Sequence, residues 1–293
     1  MKILPFKIAK PVDQSVWVQN EKLPHLYDIL HQHVEFQITL IKKSTGNIIV
    51  GNQIIAFQPG DIFVLGSGLP HALRNDPEYY HNDPDLFAHA ISIYFETEVF
   101  GASFWNLPET QSLKEYIRKA DRGIHYPAVF HGEEAGIIEA ISEEKEIRRL
   151  TLLLDLLTRL SESGNDKVLT TEGTYNKLNE TDEKRLDAVF RFTLNEFHRP
   201  ISLEEVAGVS NMTVNSFCRY FKTRTRKTYV NFLTEYRIGQ ACKLLQQEEV
   251  SISEICYRVG FGNLSNFNRK FKEMNGCTPN EFRRKQELQN VVA

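Results

Sequence analysis

A six-residue pattern occurs twice in this chain, fifty positions apart: Phe217-Cys-Arg219-Tyr-Phe221-Lys222 and Phe267-Asn-Arg269-Lys-Phe271-Lys272. A repeat of this kind leaves few folds open, because both copies must adopt the same local structure and bury the same face. Each copy follows a Ser-x-x-Glu start, Ser202 to Glu205 and Ser251 to Glu254. In such a capping box the Ser and Glu side chains reciprocally satisfy backbone N–H groups at the start of a helix. A short apolar stretch comes next, holding Val206-Ala207 or Ile255-Cys256, and then Gly208 or Gly260, where a tight turn is expected. The helix after the turn carries the repeated pattern. Phe217 and Phe221 stand four apart, so they share one face and pack against the preceding helix, as do Phe267 and Phe271. At 100° per residue, Arg219 lies about 180° from the midpoint of that face. Asn215, Cys218 and Arg219 therefore point outward, and so do Leu264, Ser265, Asn268 and Arg269 in the second copy. A short helix, a tight turn and a helix with an exposed polar face make a helix-turn-helix unit.

Such an exposed helix fits the major groove of DNA, where Arg matches the paired acceptors of guanine and Asn the edge of adenine. Between the copies, Tyr229 to Gln247 reads as one amphipathic helix, roughly 28 Å long at 1.5 Å per residue. A spacer of that length lets the two helices reach successive major grooves, about 34 Å apart. Lys222, Arg224, Arg226 and Lys227 cluster at the end of the first reading helix, and Lys272 takes the place of Lys222 in the second. They are expected on phosphates, which supply affinity and salt dependence rather than sequence discrimination. The competing reading of the arginines is an ion pair along the helix surface, such as Arg269 with Glu273. The aromatics of the repeat lie on the core side, which disfavours an RNA or general nucleoid binder built on stacking platforms.

The charge distribution agrees with a polyanion partner for one part only. The net charge is −3, but residues 182–293 carry 18 Lys+Arg against 13 Asp+Glu, whereas residues 1–181 carry 17 against 25. A part with net charge +5 is thus joined to one with −8. The 293 residues suffice for two domains with separate cores, and 41% hydrophobic with 25% charged residues is the composition of a soluble globular protein. No apolar run approaches the roughly 20 residues of a membrane span. The opening MKILPFKIAKPVDQ has no apolar core of a secretory signal. Cys218, Cys242, Cys256 and Cys277 form no C-x-x-C pair, which suggests reduced thiols in a cytoplasmic protein rather than a disulfide frame or zinc finger.

Residues 183–285 resemble the DNA-binding domain of the AraC/XylS family of transcription regulators. The matching pieces are Ser202-Leu-Glu-Glu-Val-Ala207, Met212 to Lys222, Tyr236 to Leu245, Ile252 to Gly262, Phe267 to Lys272 and Thr278-Pro-Asn-Glu-Phe-Arg283. The resemblance implies base-facing roles for Asn215, Cys218 and Arg219 in the first unit. In the second it implies them for Leu264, Ser265 and Arg269, with Asn268 adjacent. Cys218 and Leu264 are poor hydrogen-bonding groups where a polar residue is common in the family, so these positions read thymine methyls or nothing. The family further implies double-stranded promoter DNA and RNA polymerase as partners, and activation as the usual outcome.

In the N-terminal half, period-two alternation begins at Val34 and recurs to about Phe95, with turn signals at Ser44 to Asn47, Gln58 to Asp61 and Gly66 to Gly68. Short strands at this spacing predict an antiparallel sandwich or barrel. Helical periodicity takes over at Glu109 to Ala120 and Ser142 to Leu160, and a polar stretch over 163–181 reads as a linker. His31-x-His33-x-Glu35-x-Gln37 would place four polar groups on one strand face, and Gly60 to Asn75 follows the pattern G-x5-G-x-G-x2-H-x3-N. These resemble the two cupin motifs, with Gly66 at a position the family gives to proline. AraC-family regulators often carry such a barrel as an effector sensor. His31, His33 and His71 offer three imidazoles that would suit a divalent transition metal, but the family's fourth ligand, a Glu, is replaced at Gln37 or Ile38. On that ground neither a metal nor another cofactor is expected, and His31, His33, Glu35, Gln37 and His71 are read as small-molecule effector contacts. The apolar stripe of 142–160 has two readings, packing onto the barrel or the seam of a homodimer, with Ile147, Leu150, Leu153, Leu154 and Leu157 at the contact.

Together these features predict an α+β chain of two domains. Residues 1–162 would form a cupin-like β-barrel with a helical hairpin, and residues 182–293 an all-α domain with two helix-turn-helix motifs. The function that follows is a transcription regulator modulated by a small molecule, such as a sugar, rather than an enzyme. The alternative is a metal-dependent cupin enzyme fused to a DNA-binding domain.

Overall fold

Alternation along the N-terminal strands separates a core face from a polar face. In the computed structural model, which describes residues 11, 13–81, 83–128, 132–170, 180–247 and 250–284, nine strands occupy this half. They are β1 (Val16–Leu23), β2 (Phe36–Lys43), β3 (Gly46–Val50), β4 (Gln53–Phe57), β5 (Ile62–Leu65), β6 (His71–Asn75), β7 (Ala88–Phe95), β8 (Ile124–Tyr126) and β9 (Lys167–Val168). They form a six-stranded sheet, β1-β7-β2-β5-β8-β9, and a three-stranded sheet, β4-β3-β6. Among the described residues neither sheet closes on itself, and the strands of the expected barrel lie in these two sheets. On one face of β2 and β7, Phe36, Ile38, Leu40, Ile91, Ile93 and Phe95 join the main core. Residues one step out of phase, Gln37, Thr39, Ser92 and Tyr94, face the other way into a cavity.

The core face is covered by helices. Of α1 (Gly101–Phe104), α2 (Gln111–Ala120), α3 (Glu133–Glu143) and α4 (Glu146–Glu162), the last three bring Leu113, Tyr116, Ile138, Ile141, Leu153, Leu156, Leu157 and Leu160 onto it. The expected helix over 142–160 is therefore two: the chain leaves α3 at Glu144, extended at ψ 163°, and re-enters a helix at Glu146. The expected dimer seam changes as well. Leu153 and Leu157 are fully buried in the chain's own core, and only Ile147, 70% exposed, stands clear of it. The stripe is wide because it meets both the sheet and α3.

The chain divides into two compact units at Glu180/Thr181. Within the expected linker, Lys167 and Val168 pair with β8 as β9, and residues 171–179 lie outside the described residues. The second unit holds α5 (Glu180–Glu196), α6 (Leu203–Val209), α7 (Val214–Thr225), α8 (Tyr229–Gln247), α9 (Ile252–Arg258) and α10 (Leu264–Asn275). Phe217, Phe221, Phe267 and Phe271 are all fully buried, as the four-residue spacing requires. Residues 285–293 also lie outside the described residues. No helix of the described residues is long and apolar enough to cross a membrane.

Candidate nucleic-acid interface and effector cavity

Helices α6–α7 and α9–α10 each form a helix-turn-helix, and their caps show how closely the two copies agree. At α6 the capping box is complete: Glu205 N–H donates to Ser202 Oγ at 3.1 Å, and Ser202 N–H to Glu205 Oε2 at 2.8 Å. At α9 only half of the expected box forms. Glu254 N–H donates to Ser251 Oγ at 3.1 Å, while the Glu254 carboxylate turns to Arg258 at 2.7 Å. The turns also differ from expectation. Gly208 lies inside α6, and the left-handed turn residue is Asn211 at φ 54°, the counterpart of Gly260 at φ 85°. Both turns close with an N–H bonded five residues back, Met212 to the Ala207 carbonyl at 2.9 Å and Phe261 to that of Cys256 at 3.0 Å. Thr213 and Asn263 then cap α7 and α10.

The outward faces of α7 and α10 are unequal. Asn215, Cys218, Arg219 and Lys222 are exposed on α7, and Arg226 is exposed just beyond it. Arg224 is instead bound to the buried Asp182 carboxylate at 2.5 Å, and Lys227 to Glu235. On α10, Ser265, Arg269 and Lys272 are exposed and Asn268 is half-buried. Arg269 donates to Glu273 at 2.6 Å and to Asn266 at 2.9 Å, the ion-paired arrangement that competed with base contact in the sequence. Leu264, expected to face outward, is half-buried and packs against the α8–α10 core.

Two residues absent from the sequence expectations hold these helices in place. Asp182, 4% exposed at the start of α5, takes Arg224 and accepts a hydrogen bond at its carbonyl from the Tyr220 hydroxyl at 3.1 Å. Arg237 of α8 donates to the carbonyls of Phe197 at 2.8 Å and Arg199 at 2.6 Å, satisfying groups beyond the end of α5. The Tyr220–Asp182 and Arg237–Phe197 bonds span 38 and 40 positions of sequence, and no local pattern marks them.

In the N-terminal unit a cavity of about 570 Å³ opens against the polar sheet face. His31, Gln37 and His71, expected as effector contacts, line it together with Gln19, Glu21, Thr39, Ser92 and Tyr94. His33 and Glu35 stand behind that lining. His31, His33 and Glu35 do not share a strand face as expected, because β2 begins only at Phe36. A backbone bridge joins His31 to His71, with N–O distances of 3.0 and 2.8 Å, and the three imidazoles still come together. Their ring centroids lie 4.4 Å (His31–His71), 5.0 Å (His33–His71) and 5.8 Å (His31–His33) apart. Burial lowers the pKa of all three, that of His31 to about 4. From His33 a buried polar chain runs through Gln37, 3.0 Å away, to Thr39 and Ser92 at 2.7 and 2.8 Å. Gln19, Glu21, Ser92 and Tyr94 gave no sign in the sequence, since only the pairing of β1 and β2 with β7 gathers them.

Comparison with known proteins points the same way. Residues 206–285 match the family model described as a helix-turn-helix domain. An uncharacterized HTH-type transcriptional regulator, YdeC of Bacillus subtilis (strain 168), is 23% identical over 266 residues, covering 88% of this chain and 87% of its own. The HTH-type transcriptional activator RhaS of Klebsiella pneumoniae (strain 342) is 23% identical over 264 residues, 86% of each chain. The solved DNA-binding domain of AdpA, in complex with a target DNA, is 24% identical over 38% of this chain and 99% of its own, with a TM-score of 0.36. The second unit thus holds a helix-turn-helix domain, in a chain similar to HTH-type transcription regulators along most of its length.

Proposed function

We propose that the chain is a sequence-specific transcriptional activator whose two helix-turn-helix units read successive major grooves of promoter DNA. The observation that carries this reading is the duplication itself, two capped helix-turn-helix units with buried Phe pairs and outward Arg219 and Arg269, joined by α8. Asn215, Cys218 and Arg219 read one half-site and Ser265, Asn268 and Arg269 the other, while Lys222, Arg226 and Lys272 contact phosphates. The cavity of the N-terminal unit takes a small hydroxylated effector such as a sugar. Gln19, Gln37, Thr39, Ser92, Tyr94 and the neutral His31 and His71 offer uncharged donors and acceptors for it. Effector binding shifts the population toward the state that occupies the promoter and engages RNA polymerase, and the cytoplasmic chain acts as a homodimer.

The test is selection from a random-sequence duplex pool by the full chain at two salt concentrations, with Arg219→Ala and Arg269→Ala alongside. The expected product is a site with two motifs about 10 base pairs apart, each relaxed by one of the substitutions. Unselective binding that neither substitution alters would overturn the reading.

A further inference from the structure

We propose that the effector of the N-terminal cavity is a cationic amino sugar of two rings, its ammonium group paired with Glu21 and its hydroxyls on the buried polar rows beyond. The inference rests on the reading of this cavity as the site of a hydroxylated effector and names the charge and length of that molecule. The register of the sheet lays out the cavity floor. Gln37 and Tyr94 stand opposite each other at one end, Thr39, Ser92 and Gln19 form the next row, and Glu21 with Ala90 forms the row after that. Successive rows are two residues apart, about 7 Å, so the floor runs about 14 Å from Gln37 to Glu21. Gln37, Thr39, Ser92 and Tyr94 are all more than nine-tenths buried, whereas Glu21 is exposed. The floor is thus uncharged at its closed end and ends in a carboxylate at its mouth. A volume of about 570 Å³ is that of an ordinary ligand pocket, and a floor of this length suits two rings end to end.

The charges around the cavity decide the sign of the ligand. Among the described residues no lysine or arginine lines it, and its formal charges are the carboxylates of Glu21 and Asp28. Asp28 is already engaged: its carboxylate accepts from the Tyr80 hydroxyl at 3.3 Å and its carbonyl from Arg74 at 3.1 Å. Glu21 has neither an ion pair nor a hydrogen bond among the described residues. The nearest lysine on its own strand, Lys22, stands opposite His89, one step out of phase and on the other face of the sheet. Glu21 is nevertheless felt inside: burial pushes the Tyr94 hydroxyl up to about 12, and Glu21 and Glu35 add to that effect. A neutral ligand closing the mouth would strip water from a carboxylate and leave its charge uncompensated. An ammonium group replaces that water with a charge-assisted hydrogen bond, while an anionic sugar meets repulsion from Glu21, Asp28 and Glu35.

The test is calorimetric titration of the full chain with matched disaccharides on the glucose and galactose frames, each as free amine, N-acetyl, hydroxyl and uronate forms. Expected is that on at least one frame the free amine binds about 5-fold or more tighter than the N-acetyl and hydroxyl forms, with the uronate weakest. That advantage should shrink between 50 and 500 mM salt, as an ion pair at a cavity mouth requires. Glu21→Gln, a change at an exposed position, should lower the affinity for the amine about 5-fold, to the level of the hydroxyl form. Equal binding of amine and hydroxyl forms, or an equal loss for both in Glu21→Gln, would overturn the cationic effector and leave the hydroxylated one standing. Silence of every form on both frames would overturn the two together. No DNA enters these measurements, so their outcome is separate from that of the promoter selection.

Discussion

A single side chain separates the two reading helices more than their shared pattern suggests. Arg219 is exposed, whereas Arg269 is held by Glu273 and Asn266, and Lys270 shares the same carboxylate at 2.8 Å. Exposed pairs of this kind contribute little to stability, so DNA can take Arg269 from Glu273 at small cost. Glu273→Gln should therefore strengthen DNA binding a few-fold, by freeing Arg269 and Lys270 and removing a charge that repels phosphate. Arg219→Ala should lose about 1–3 kcal/mol of discrimination at one base position. Fluorescence anisotropy on the selected duplex at fixed salt measures both; weaker binding by Glu273→Gln would show that the pair positions Arg269 for DNA instead of restraining it. Gly260 is the other decisive residue. At φ 85° an added Cβ would meet the Phe197 carbonyl oxygen at 2.2 Å and the Arg237 guanidinium at 2.9 Å. Gly260→Ala should destabilise the second unit by more than about 2 kcal/mol, while Asn211→Gly in the equivalent turn should be neutral or mildly stabilising. Urea unfolding of both variants decides it.

At the scale of elements, the unequal caps make a prediction of their own. Ser202→Ala removes the hydroxyl of a complete capping box, whereas at α9 Ser251 Oγ makes the sole box bond because Glu254 pairs with Arg258. Losses of about 1–2 kcal/mol for Ser202→Ala and about 0.5–1 kcal/mol for Ser251→Ala are expected from midpoint shifts in urea. The helices of the second unit were the legible part of the fold: α8 spans Tyr229–Gln247 as read, because Phe pairs, cap residues and turns all act over short sequence distances. The sheets were less so. β1 offers only Val16-Trp17-Val18 before its residues turn polar, and it is a strand because β7 pairs with it along its whole length. The break between α3 and α4 was hidden by continuous helix-favouring residues at Glu143 to Glu146. In the candidate sites, the outward positions of α7 followed from helix geometry alone, whereas the partial packing of Leu264 depends on core neighbours that no local pattern shows. The three histidines were found by motif, but their convergence depends on the bridge between the His31 loop and β6.

For the molecule as a whole, acid should act on one unit and spare the other. His31, His33 and His71 are held neutral by burial in the first unit, and the second unit has a single histidine, His198. A histidine whose folded pKa is depressed takes up its proton more readily when unfolded. Its contribution is complete above about 6.5, the unfolded value, and is lost as pH falls toward the folded value, about 4 for His31. Each imidazole inside that window contributes a slope of up to about 1.4 kcal/mol per pH unit. Asp121, whose carboxyl burial raises, works in the opposite sense within the same unit. Both tryptophans, Trp17 and Trp105, lie in the first unit, so tryptophan fluorescence follows it alone. Helical circular dichroism is weighted toward α5–α10. In chelator-treated full chain, the fluorescence-detected melting point should drop steeply between pH 6.5 and 4 while the helical signal holds a transition that moves little. Parallel movement of both signals, or a fluorescence transition indifferent to pH in this range, would mean that the folded state does not keep the three imidazoles neutral.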